Sequence, residues 1–352
     1  MVRCTHTRWL RLARKDEGFA LEVSDRAQRL LDGLPRPEKQ TPSINLLVGN
    51  QSKQRLLHTL GINTTGPRGQ RGHGEIHMFV TPSSVRSDAP MVIADGDIPV
   101  QSRLGRPWKR QLCHEVNVRP LCPLQGKVAD IADRIYHRLL LPFADVICLF
   151  ATDLGGIEKT VHRLALWMDN GPLSTIEARP WLFIVVDEGP EAEALATFRD
   201  LLRIETSIDP MDHFGGIRLL SLTKPRNQGH YRGSPWDRLS RELSDASQSA
   251  RQKRLNVSHL FAAQHLAGFL DHAAGCATEV PQEPFNFIRT SRLNNPVAVD
   301  LELHLAHFLR NFHSLDSLKS FALPMVASSF ILDHYPPGMH RMSCVFVVRR
   351  GC

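Results

Sequence analysis

Three short polar stretches in this chain stand where phosphate chemistry would need them. Gly49-Asn50-Gln51-Ser52-Lys53, Asp95-Gly96-Asp97 and Asp187-Glu188 each follow a short apolar run. A lysine after a glycine loop can reach the outer phosphates of a nucleotide, and a carboxylate at a strand end can help to hold Mg²⁺. A later aspartate can accept hydrogen bonds from a purine edge. None of the three is complete. The phosphate-loop pattern G-x-x-x-x-G-K-[ST] needs a second glycine and a Lys-Ser/Thr pair, and neither follows Gly49. The stretch at Asp95 departs from D-x-x-G, and Val186-Asp187-Glu188-Gly189 has neither the Asn nor the Lys of N-K-x-D.

The elements that would position these loops alternate in type. Apolar runs at Ile44–Gly49, Pro90–Ala94, Ala144–Ala151, Trp181–Val186 and Ile217–Leu222 read as buried strands, and Glu75–Val80 as a half-buried one. Helical spacing covers Lys53–Leu60, Leu124–Leu141, Ile157–Met168 and Ala192–Ile204. Strands alternating with helices imply an α/β fold with three layers, a mainly parallel sheet and right-handed crossovers. In such a sheet, ligands bind beyond the carboxyl ends of the strands, so Thr152-Asp153 and Thr223-Lys224 join the candidates. The order of the damaged motifs is that of a P-loop GTPase-like domain over 44–225. Residues 1–43 form a basic extension, with a helical stripe over Glu17–Asp32 and a proline-rich linker. Residues 226–352 form an appended helical region.

Composition restricts the class further. The 352 residues exceed one usual domain, and 42% hydrophobic with 22% charged residues is ordinary for a globular protein. The net charge of +7 suits polyanionic partners without identifying one. Seven scattered cysteines do not form a disulfide framework, and no apolar run reaches the length of a membrane span. A cytoplasmic location follows as the expectation. The basic start, MVRCTHTRWLRLARK, is compatible with a presequence, but a solvated basic end is the plainer reading.

Four other groupings could carry chemistry. His73, Glu75 and His77 share one strand face, where a polar face is the simpler reading than a metal site. Cys113, His114 and Cys122 could contribute zinc ligands, but without a second closely spaced pair ordinary buried or exposed thiols are the preferred reading. Lys224–Arg254 holds eight basic and three acidic residues, with Tyr231 and Trp236 between them. That run could contact single-stranded nucleic acid, although a solvated helix face is preferred. His304, His307 and His313 fall in a stripe with Leu301, Leu305, Phe308 and Phe312 and read as packing residues.

Four segments resemble a known family: Gly72–Pro99 (GHGEIHMFVTPSSVRSDAPMVIADGDIP), His137–Phe150 (HRLLLPFADVICLF), Asn294–Leu309 (NNPVAVDLELHLAHFL) and Leu332–His340 (LDHYPPGMH). They are similar to the region upstream of the hydrolase in fungal patatin-like phospholipase proteins. The resemblance implies a divergent P-loop GTPase-like domain, with the lipase domain following it. A patatin hydrolase requires G-x-S-x-G, which is absent here, so phospholipase activity is not carried over. The chain is expected to be the upstream region alone, as a fragment of a larger protein or a stand-alone paralogue. The resulting expectation is a regulatory or interaction domain with a protein partner and poor or absent nucleotide hydrolysis. GTP or ATP with Mg²⁺, if bound, would lie against Gly49, Asn50, Gln51, Ser52, Lys53, Asp95 and Asp187. The alternatives are an active nucleotide hydrolase and a basic nucleic-acid binder.

Overall fold

The computed structural model describes residues 6–15, 18–63, 74–98, 113–121, 127–174, 178–223, 233–278, 284–293 and 300–332. His73, Cys122 and the Lys224–Arg232 part of the basic run lie outside them. The chain divides into two compact units, Met1–Phe285 and Asn286–Cys352.

The first unit is built on one nine-stranded sheet. Its strands are β1 (Arg8–Lys15), β2 (Gly18–Ser24), β3 (Ser43–Val48), β4 (Glu75–Val80), β5 (Met91–Gly96), β6 (Val116–Pro120), β7 (Ala144–Phe150), β8 (Trp181–Val186) and β9 (Gly216–Ser221). Their spatial order is β6-β2-β1-β4-β5-β3-β7-β8-β9. From β5 through β3, β7 and β8 to β9 every pairing is parallel. From β6 through β2, β1 and β4 to β5 every pairing is antiparallel. The sheet is therefore mixed, which corrects the expectation of a mainly parallel one.

The difference arises from β1 and β2 in the first 24 residues, from β6, and from the antiparallel β4. The helix expected over Glu17–Asp32 is instead strand β2 followed by a shorter helix, α1 (Arg26–Asp32). Trp9, Leu10, Leu12 and Ala13 of β1 and Ala20, Leu21 and Val23 of β2 are all buried, and this long-range burial overrides the local helical spacing. Arg11 pairs in register with Glu22, and their side chains meet at 3.4 Å while both are buried.

The parallel block is apolar throughout because both of its faces are covered. β3 and β7 are buried at every residue. Among the described residues, the remaining α-helices of the first unit are α2 (Lys53–Thr59), α3 (Val128–Ile135), α4 (Ile157–Asp169), α5 (Glu191–Glu205), α6 (Pro235–Asn256) and α7 (Ala263–Cys276). Leu47, Ile93, Val146, Cys148, Phe183 and Val185 share one sheet face and pack with Leu56 and Leu57 of α2 and Leu239 and Leu243 of α6. Leu46, Ala94, Ile147, Leu149 and Ile184 alternate with them and are equally buried on the other face. Each of the Val, Leu, Ile and Phe side chains contributes about 1.5–3 kcal/mol by leaving water.

Helix α6 begins at a capping box. The Ser234 hydroxyl accepts from the Trp236 amide at 3.2 Å, and Asp237 accepts from the Ser234 amide at 2.9 Å. Pro235 at the first helical position suits this start.

A π-helical turn, Tyr136–Leu140, follows α3 and buries His137 to 1% exposure. Its Nε2 lies 3.2 Å from the Gly171 carbonyl, so the neutral ring donates there. Burial lowers the His137 pKa from 6.5 to about 4. Between those values the unfolded chain binds a proton that the folded chain does not. Stability from this residue is complete above about pH 6.5 and is lost as pH falls through about 4, by about 3 kcal/mol in total. Urea unfolding measured from pH 7 to pH 4 is expected to show a shallower decline for His137→Gln than for the natural chain. Equal slopes would contradict the buried neutral ring.

The second unit contains α8 (Phe287–Ser291), α9 (Leu301–Arg310) and a run of helices from Leu315 to Leu332. Phe308, Phe312 and Phe321 form its aromatic cluster, with ring centroids 5.1 and 5.9 Å apart along the series. His304, His307 and His313 are exposed, contrary to the packing role expected for them, and His304 lies 2.9 Å from Asp300. No described helix is long and apolar enough to cross a membrane.

Candidate functional site

The site follows from the sheet order. β3 connects through α2 and β4 to β5 on one side, whereas β7 stands on its other side and continues outward to β8 and β9. Right-handed crossovers running in opposite directions send the loops after β3 and β7 to opposite faces of the sheet. A crevice opens at such a point, and ligands of open α/β sheets bind there. Val48 pairs with Leu149 across the two strands, so the loops that follow are neighbours.

In this protein the crevice is occupied by a side chain of the chain itself. Asp153, three residues beyond β7, turns its carboxylate into the loop after β3. Oδ2 accepts from the Asn50 amide at 2.6 Å and the Ser52 amide at 3.0 Å. Oδ1 accepts from the Ser52 hydroxyl at 3.1 Å. Gly49 permits this approach, because a Cβ there would stand 2.8 Å from Asp153 Oδ2 and 2.8 Å from Phe150 Cβ. Asp153 is presented by a tight turn that ends at Gly155 and Gly156, whose φ angles of 94° and 102° suit glycine. The loop amides thus meet an anion, and that anion is a carboxylate. Sequence position placed Asp153 at a strand end; nothing in the sequence showed which groups it would meet.

Lys53 turns the other way. It is the first residue of α2 and is buried, with Nζ 2.6 Å from Asp95 Oδ1. Nζ also donates to the Gly96 carbonyl at 2.5 Å. Asp95 is 1% exposed and lies on β5, beside β3. The lysine and the carboxylate that a nucleotide and its metal would require are therefore paired with each other. Ser52, the hydroxyl nearest a metal-ligand position, is held by Asp153.

Other expected residues are less closely joined. Asn50 and Gln51 are exposed, and Gln54 reaches back to the Asn50 carbonyl at 3.4 Å. Asp97 accepts from the Gly74 amide at 2.9 Å, and its own carbonyl accepts from the Tyr136 hydroxyl at 3.1 Å. Tyr136 is 2% exposed and burial raises its pKa well above the ordinary value, so it stays protonated and donating. A Cβ at Gly96 would strike that hydroxyl at 2.0 Å. Asp187 is half-buried and follows β8, two strands from β3.

Two of the other sequence groupings, as far as they are described, resolve as structure. Glu75 is buried and lies 3.1 Å from Arg8 and 3.3 Å from His77, while His77 Nδ1 meets the Thr7 hydroxyl at 3.0 Å. In the described part of the basic run, Arg238 holds Glu191 through two contacts of 2.7 and 3.1 Å. Arg251 donates to Thr41 at 2.9 Å, Lys253 donates to the Gly215 carbonyl at 3.2 Å, and Arg254 is buried on Asp145. Glu191 belongs to no recognised motif, and sequence reasoning missed it.

No family model matches the chain, and no curated protein matches it. Among solved structures, it has weak similarity to a small COPII coat GTPase, SAR1, from Encephalitozoon cuniculi in complex with GDP. That match has 14% identity and a TM-score of 0.29, covering 65% of this chain and 91% of the other. A siderophore hydrolase, EstA, from Aspergillus nidulans matches with 10% identity and a TM-score of 0.29, over 68% of this chain and 93% of the other. Such scores carry no weight for fold or site, and the chain is placed by its own strand order as an α/β protein with a large mixed sheet.

Proposed function

We propose that this chain is a regulatory or interaction domain on a GTPase-like α/β scaffold whose nucleotide site is closed by its own side chains. The strand order supports the scaffold. In β4-β5-β3-β7-β8-β9 the strand before the damaged phosphate loop is central, and β4 alone runs antiparallel. The observation that carries the closed site is the Asp153 carboxylate on the Asn50 and Ser52 amides. A phosphate entering there would meet a like charge and lose the amides to it. With Lys53 on Asp95, neither a phosphate cation nor a metal carboxylate is on offer. The role then resembles that of the region upstream of the lipase in fungal patatin-like proteins. A protein partner fits the second unit, where Leu303, Leu315, Phe321, Leu323, Met325 and Phe330 are exposed.

Titration calorimetry with GTP and with ATP, each with Mg²⁺, tests the reading. No saturable heat is expected at millimolar nucleotide. Micromolar binding that is lost in a folded Lys53→Ala variant would overturn the closed-site reading. The nucleic-acid reading would have to draw Arg238, Arg251, Lys253 and Arg254 away from the partners just described. It predicts steeply salt-dependent RNA retention.

The closing contact has its own prediction. Asp153→Ala is expected to lower unfolding stability by about 1.5–3 kcal/mol, the worth of hydrogen bonds to a charged acceptor. An unchanged urea midpoint would show that the loop is not held by this carboxylate.

A further inference from the structure

The end of the sheet remote from the crevice collects a second set of chemically able residues. β1 runs antiparallel to β2, and β2 antiparallel to β6. The start of β1, the end of β2 and the start of β6 therefore lie together, with Ser24 opposite Val116. His6 precedes β1, Asp25 follows β2, and Cys113 and His114 precede β6. One ligand atom from each of His6, Cys113 and His114 lies within 4.8 Å of the others. His6 Nδ1 is 2.9 Å from Cys113 Sγ. His114 is 8% exposed, and its Nδ1 is 2.5 Å from Asp25 Oδ1. Asp25 is itself fixed by Arg29, whose Nε lies 2.6 Å from Oδ2 and whose Nη1 donates to the Cys113 carbonyl at 2.7 Å.

We propose that His6, Cys113 and His114 form a Zn²⁺ site that fastens the start of β1 to the start of β6. A thiolate with two imidazoles is a donor set for a borderline-soft ion of tetrahedral preference, and it disfavours Mg²⁺ and Ca²⁺. A carboxylate on the far nitrogen of a ligating histidine is the usual outer support of such an ion. With Nδ1 of His114 committed to Asp25, the coordinating atom is Nε2. Zn–S and Zn–N bonds of roughly 2.3 and 2.0–2.1 Å place tetrahedral neighbours about 3.6 Å apart. Entry of the ion therefore requires His6 and Cys113 to separate by less than an ångström, a movement that side-chain rotation supplies. Binding converts the Cys113 thiol to thiolate and releases its proton to solvent. A fourth donor, water or protein, completes the tetrahedron. Asp25 touches no metal and is a positioning residue.

The test uses the full chain, loaded with ZnCl₂, freed of loose metal by gel filtration and analysed by mass spectrometry for zinc per chain. One zinc per chain is expected. Cys113→Ser and His114→Ala should each lose at least about tenfold in affinity, and Asp25→Asn about 10–100-fold while still binding at higher zinc. A second measurement does not depend on variants that fold. Co²⁺ added to the apo chain should give thiolate-to-metal charge-transfer absorption together with the visible bands of tetrahedral Co²⁺. The proposal is overturned by less than about a tenth of a zinc per folded chain, by the absence of the charge-transfer band, or by full zinc retention in a folded Cys113→Ser/His114→Ala double variant.

Discussion

Lys53→Met is expected to destabilise the first unit by about 3–5 kcal/mol, far more than the loss of an exposed phosphate ligand would. The Lys53 and Asp95 side chains are 3% and 0% exposed, and their charged atoms stand 2.6 Å apart. Removing the lysine leaves a carboxylate in the sheet interior without its cation, and that desolvated charge is the source of the loss. Neutralising both partners should recover most of it. Lys53→Met/Asp95→Asn is therefore expected to be more stable than Lys53→Met alone. Equilibrium urea unfolding of the natural chain, both single variants and the double variant closes the cycle. A negligible effect of Lys53→Met would mean that the lysine faces solvent, and the case for a closed nucleotide site would fall with it.

Arg254→Met is expected to cost a similar amount, about 3–5 kcal/mol, at the opposite ends of the parallel strands. The Arg254 guanidinium donates from Nε to Asp145 at 2.6 Å and from Nη2 to the Ala144 and Pro142 carbonyls at 3.1 and 3.3 Å. Asp145 in turn accepts from the Ile44 amide at 3.2 Å, so one side chain ties α6 to both β3 and β7. Arg254→Lys should recover little, because an ammonium cannot reproduce the planar fork that reaches three acceptors. The loss is expected in buffer without nucleic acid. A folded, fully stable Arg254→Met chain would free this arginine for the phosphate-binding role that its neighbourhood in sequence suggests.

Sequence was informative where burial is uniform. Ser43–Val48, Ala144–Phe150 and Trp181–Val186 are short apolar runs because helices cover both faces, and such runs are visible without a partner. The β1–β2 hairpin was not visible. Its stability comes from pairings such as Leu10 with Val23 and from β4 and β6, which lie far along the chain. Phe19 and Leu21 therefore read as the start of a helix that actually begins at Arg26. The site divides in the same way. That Gly49–Lys53, Asp95, Asp153 and Asp187 stand at strand ends could be read from the sequence. That Asp153 would bind amides 101 and 103 residues away could not, because no local pattern encodes which loop faces which. The same holds for His6 and Cys113, 107 residues apart.

The hairpin also decides which backbone edge of the sheet stays open. Without it, β4 would be an outer strand with a free row of amides and carbonyls, open to a peptide adding as a further strand. Here β4 is bonded to β1 on one side and β5 on the other, so that mode of recognition is blocked. Among the described strands the outer position passes to β6, a five-residue strand ending in Pro120, which lacks the amide that continued pairing would need. Backbone pairing with a further strand is thereby disfavoured on this side of the sheet.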